Sequence, residues 1–173
     1  IFCYNEEVEL KERCVGLKKF LTYSLVVMLL LITSVTILVN KSLSPLKQAE
    51  AETIAIAEEK TSLTETDDFY WYNGNESYFT VTGKNTDSEE IIVIVNQENG
   101  ETKEFAKNET LSKQELFEKV REREEPARIL EARIGIHNDL PIWEVSFRQK
   151  DDKLAYIIFS LTTGEWVRTI KNI

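Results

Sequence analysis

The chain is poor in the residues that build reaction centres. It has two cysteines, Cys3 and Cys14, and one histidine, His137. Both cysteines precede a long apolar run, so a structural disulfide and a cysteine nucleophile are excluded from everything after it. A single imidazole without a nearby cysteine or second histidine does not make a metal site, and no metal or cofactor is expected. G-x-S-x-G, H-E-x-x-H and a glycine-rich phosphate loop are missing as well. The acidic pairs Asp67-Asp68, Glu89-Glu90 and Asp151-Asp152 are adjacent, so on strands they point to opposite faces. They suit solvated loop charges better than a general acid and base. The expectation is a protein that is not an enzyme.

Positive charge is scarce too, with 21 basic against 30 acidic residues and a net charge of −9. Lys11, Arg13, Lys18 and Lys19 balance Glu6, Glu7, Glu9 and Glu12 ahead of the apolar run, so the whole excess falls after it. That acidic part repels polyanions, which counts against nucleic acid and anionic lipid as partners.

The apolar run, FLTYSLVVMLLLITSVTILV at 20–39, carries no charge. About 20 helical residues at roughly 1.5 Å each span a bilayer core. Lys18 and Lys19 abut its start, whereas only Lys41 and Lys47 follow closely, so the positive-inside bias puts the N-terminus in the cytoplasm and 40–173 outside. A cleaved signal sequence is the alternative, with Ala49-Glu50-Ala51 as a small-x-small site. The run exceeds a signal's usual ~7–15-residue apolar core and the site lies too far beyond it. The chain opens on Ile1, and Val15 ahead of Gly16-Leu17-Lys18-Lys19 would serve as a bacterial translation start, which makes 1–14 foreign to the native protein in this reading.

After the run the sequence repeats itself. At an offset of 64 residues Phe79 falls on Trp143, Val81 on Val145, Asp87 on Asp151, Ile94 on Ile158, and Gly100-Glu101 on Gly164-Glu165, without a gap over 69–104. One fixed offset implies two copies of a supersecondary unit. Four segments are expected: a tail at 1–19, a transmembrane helix at 20–39, and units at 40–108 and 109–173.

Each unit reads as a helix followed by an antiparallel meander, an α+β arrangement. Ser44-Pro45 predicts a helix start, followed by KQAEAETIAIAEEK, fading at Thr61-Ser62. Strands are predicted at 69–72, 78–82, 91–95 and 102–105. Ser112 with Glu115 forms a capping box, Leu111 staples onto Leu116, and Pro126 stops the second helix. Strands then follow at 128–136, 142–147, 154–159 and 166–170. One helix covers one sheet face only, yet 91–95 and 154–159 are apolar on both, so part of the second face is expected to be buried between the units.

This pattern, closing on Leu161-Thr162-Thr163-Gly164-Glu165-Trp166, resembles the PepSY (cystatin-like) domain, whose last hairpin typically carries a Thr-Gly-Glu turn. The first copy departs from it, reading Glu98-Asn99-Gly100-Glu101. A short tail, one span and two such units resemble the YpmB/TseB-like membrane proteins of Gram-positive bacteria over roughly residues 18–173. The resemblance implies a non-catalytic extracytoplasmic regulator of cell-wall elongation that engages an elongation-type penicillin-binding protein. Restraint of an extracytoplasmic peptidase, a role associated with other PepSY proteins, and direct attachment to cell-wall polymer are the rival readings.

The candidate binding residues come from Phe69-Tyr70-Trp71-Tyr72. Tyr70 and Tyr72 match Ile134 and Ile136 and are expected to face the core. Phe69 and Trp71 match Arg133 and Gly135, so they lie on a face the second copy leaves polar or bare. Two readings stand: they pack against the second copy or the linker, or they are exposed and form a hot spot for a protein partner. His137 falls beside a predicted turn and is expected to be solvated. Asn40-Lys41-Ser42, Asn75-Glu76-Ser77 and Asn108-Glu109-Thr110 match the glycan acceptor pattern but read as ordinary turns in a bacterial protein. Arg121 to Glu125 reads as a solvated helix end.

Overall fold

The computed structural model describes residues 2–171, with side chains described from residue 21 onward apart from 40, 43 and 44. It separates into two compact units, 1–48 and 49–173. The basic residues behind the topology expectation, Lys11, Arg13, Lys18 and Lys19, lie outside the described side chains.

Helix α1 runs over Phe2–Lys60 and contains Pro45. No new helix therefore starts at Ser44-Pro45, contrary to the sequence expectation. Proline at a helix interior removes one backbone bond and presses its ring against the carbonyl of the preceding turn, and a helix with many other bonds can absorb that cost. Within the first unit, Leu21–Val39 is long and apolar enough to cross a membrane, with mean hydropathy 2.3 and none of its side chains buried in the protein. Its hydroxyls bond within the helix, Ser24 to the Leu21 carbonyl, Thr33 to Leu29 and Leu30, and Thr36 to Ile32. Such back-bonding satisfies polar groups that hydrocarbon cannot.

The second unit holds the end of α1 and two four-stranded antiparallel meanders. The first comprises β1 (Leu63–Asn73), β2 (Ser77–Asn85), β3 (Glu90–Asn96) and β4 (Thr102–Ala106). A 3-10 turn at Lys107–Glu109 leads to α2 (Lys113–Glu124), then β5 (Arg128–His137), β6 (Leu140–Arg148), β7 (Leu154–Ser160) and β8 (Trp166–Ile170). Strand order in each sheet follows chain order. The ends of β7, β8 and α2 lie 64 residues beyond those of β3, β4 and α1, so the repeat is structural as well as sequential. Gly100 and Gly164 occupy the same turn at φ +67° and +66°, a backbone that side chains rarely tolerate.

The start of α2 is fixed by its cap. Ser112 accepts from the Glu115 amide at 3.2 Å, and Glu115 accepts from the Ser112 amide at 3.1 Å. The Ser112 hydroxyl also donates to the Glu115 carboxylate at 2.7 Å, and this bond, with the one from the Ser112 amide, holds that carboxyl below the usual carboxylate range. The helix closes at Glu125 in a left-handed conformation, φ 44°, directly before Pro126.

Two cores result. The smaller lies between the end of α1 and the first sheet, with Ala57, Leu63, Val81, Ile91, Val93 and Val95. The larger gathers Leu116 and Val120 of α2 and the second sheet, and Tyr72, Tyr78, Ile92 and Ile94 of the first sheet join it. The run 91–95 is therefore apolar on both faces because its odd residues lie under α1 and its even ones against the second repeat. Burial between the repeats follows the sequence expectation.

Candidate partner-binding site

Strand β1 is an outer strand, hydrogen-bonded to β2 alone, and its side chains also reach β5 of the second repeat. Its alternation sends Tyr70 and Tyr72 one way and Phe69 and Trp71 the other. Tyr72 is buried, and its hydroxyl sits 3.3 Å from His137 Nδ1. Its ring rests over Gly135, where a Cβ would come within 2.3 Å of Tyr72 Cγ. Burial, reinforced by the charge of Glu144, pushes the phenol up. His137 is thus half-buried and partnered rather than a freely solvated turn residue, because the side chain that meets it comes from the other repeat.

Tyr70 packs edge-on against Trp143 at 5.7 Å and 82°, with Lys113 Nζ 5.6 Å from its ring centre. Its hydroxyl donates to Asp68 at 3.2 Å. Burial, with the Asp68 charge adding to it, raises its phenol well above the ordinary value. Beside these contacts, Thr80 donates to the Ile134 carbonyl at 3.0 Å, a buried bond tying β2 to β5.

On the opposite face, Phe69 is half-buried and stacks on Phe79 at 5.6 Å and 27°. It packs against the smaller core. Trp71 is 47% exposed, tilted at 50° to the same Phe79 ring at 5.9 Å. Both therefore rest on Phe79, and of the two only Trp71 offers a large open surface.

A groove of about 720 Å³ opens where β1, at Phe69 and Tyr70, meets α2 and the start of β5. Lys113, Phe117 and Arg121 of α2 form one wall, and residues 126–132 form the floor. Sequence reasoning passed over this place and read Arg121 as part of a solvated helix end. The 64-residue comparison held the signal, since Lys113, Arg121 and Arg128 fall where the first copy has Ala49, Ala57 and Thr64.

Of the acidic pairs, only Asp67-Asp68 touches these features, through the bond of Asp68 to Tyr70. Glu90 pairs with Lys107 at 2.7 Å and Asp151 with Lys153 at 2.8 Å, both in solvent. Among the described residues no three His, Cys, Asp or Glu side chains are placed to hold a metal ion. The arrangement offers apolar and cationic contact surface.

The family model described as "Cell wall elongation regulator TseB-like domain" matches residues 52–96, the end of α1 through β3. Among solved structures, the chain is similar to the YpmB protein from Bacillus subtilis, with a TM-score of 0.65 and 19% identity, over 70% of this chain and 95% of that one. A search of curated proteins gives no match. At that identity the structural likeness speaks for the fold alone, an α+β arrangement of two helix-and-sheet repeats. The family-model match supports a TseB-like domain over 52–96, and with it a role in regulating cell-wall synthesis. Among the described residues one apolar helix fits a membrane anchor, and a signal sequence passes the same test of length and composition.

Proposed function

We propose that this protein is a non-catalytic regulator of cell-wall synthesis that engages an elongation-type penicillin-binding protein outside the membrane. Leu21–Val39 is its retained anchor, with the N-terminus in the cytoplasm. Trp71 is the contact residue, and Phe69 holds the Phe79 platform beneath it. The observation that carries this reading is the exposure of Trp71 on a stack of otherwise covered aromatics. Burying the open half of such a ring removes roughly 100 Å² from water, about 2–3 kcal/mol, the size of a hot-spot contribution. The regulator-domain match over the same strand supports it.

A photo-crosslinking residue in place of Trp71, in the full chain in intact cells, tests the proposal. A penicillin-binding protein should be the main captured species, and Trp71→Ser should abolish co-purification while the fold stays intact. Replacing Phe69 by Ser should instead disturb folding. Capture of a peptidase would transfer the role to protease restraint, and absence of any protein adduct would favour attachment to wall polymer. A reporter fused after Ile173 that works only in the cytoplasm would overturn the topology.

A further inference from the structure

We infer that the groove between α2, the start of β5 and Phe69-Tyr70 binds an extended acidic polypeptide segment laid along the edge of β5. The inference rests on the binding role proposed above and gives the chemistry of the partner.

The backbone supplies the first reason. β5 is an outer strand of its sheet, so one of its flanks has no strand partner. Thr80 donates to the Ile134 carbonyl on that flank. The first repeat thus covers the edge from Ala132 onward, Ala132 and Ile134 both being buried, and the open stretch of the edge is the start of the strand, Arg128 to Glu131. A register shift between Ile129 and Glu131 leaves Leu130 as an extra residue, 40% exposed. An edge of this kind accepts another extended chain through main-chain hydrogen bonds.

Charge supplies the second. The chain carries −9 overall, yet Lys113, Arg121 and Arg128 converge on this groove. None of the three has a carboxylate partner among the described residues. The one carboxylate in the lining, Glu131, is already held by Arg133 at 2.6 Å. The cations are absent from the equivalent places in the first copy, Ala49, Ala57 and Thr64, which folds into the same unit without them. The fold therefore does not require them, and an acidic ligand accounts for their placement.

The walls decide between a polypeptide and a phosphate polymer. Phe117, Ile129 and Leu130 offer apolar contact beside the cations. A glycerol-phosphate chain satisfies the charges but brings neither amides for the strand edge nor side chains for those walls. An acidic peptide with alternating apolar residues satisfies all three.

The test uses the full chain in detergent and a fluorescent octapeptide alternating valine and glutamate, followed by anisotropy. The peptide should bind, and K113E/R121E/R128E should weaken it by about tenfold or more, as reversing groove charges does. Arg168→Glu, an exposed cation elsewhere in the second repeat, should leave binding unchanged, and the single variant Arg128→Glu repeats the test if the triple variant misfolds. Methylating alternate peptide amides should abolish binding in one of the two phases, as strand pairing demands. Lack of peptide binding, indifference to charge reversal or to methylation, or equal competition by glycerol-phosphate oligomers would each overturn the inference. Peptide binding without a captured wall enzyme would leave the groove standing and remove the penicillin-binding protein. Capture from position 71 without peptide binding would do the reverse.

Discussion

The two repeats share a backbone and differ in how they fill it. The second sheet places Phe147, fully buried, where the first has Gly83. At Gly83 an added Cβ would fall 1.8 Å from the Glu65 carbonyl oxygen and 2.9 Å from Leu63 Cδ1. Strand β1 shifts register beside it, between Leu63 and Glu65 and again between Thr66 and Phe69. Backbone therefore occupies in the first copy the volume that a ring fills in the second. The difference teaches that the repeat preserves a sheet under a helix, while each copy meets its packing needs with its own material.

The sharpest way to break the comparison is Phe147→Ala. Its ring is fully buried, so the larger core should lose about 3–5 kcal/mol, read as a shift of the denaturation midpoint of the full chain in detergent. A loss under 1 kcal/mol would mean that the second copy can close the gap as the first does. The next largest effect concerns the seam between the copies. Gly135→Ala drives a methyl into the Tyr72 ring and should cost about 1–3 kcal/mol. In a Tyr72→Ala background the same change should cost distinctly less, a coupling of roughly 0.5–3 kcal/mol, because the ring that collides is gone. Additive costs would show that the seam does not depend on this contact.

The sequence revealed the parts of this architecture that depend on local pattern. The eight strands, the Ser112–Glu115 cap, the stop at Pro126 and the paired Gly100 and Gly164 turns all follow from alternation, capping chemistry or positive φ. What stayed hidden depends on which distant residue arrives. Alternation places Tyr72 inward but does not say that it covers Gly135 and meets His137. Pro45 reads as a start because local rules favour it there, and the helix that encloses it overrides them. Of the candidate site, the faces of Phe69 and Trp71 were legible, whereas the basic groove required α2 and β5 to be brought together.

The smallest effect isolates a single pair of equivalent positions. Glu144 of the second copy stands where the first has Thr80, both on inner strands, Thr80 buried and Glu144 half-buried. Thr80 is neutral and bonded to Ile134, whereas burial holds the Glu144 carboxyl above the usual range, with Arg133 pulling it down and Glu131 pushing it up. A carboxyl whose folded value is raised contributes stability below its unfolded value, about 4.3, and that contribution is lost as pH rises through the folded value. Glu144→Gln should therefore gain stability relative to the parent chain as pH rises from about 4 to 7, in a melting series on the full chain. Thr80→Val should show a pH-independent loss instead, since no proton is exchanged at that position. A Gln variant that falls behind the parent as pH rises would mean that attraction to Arg133 outweighs the loss of water, making Glu144 a working ion-pair partner where the first copy has only a neutral hydroxyl.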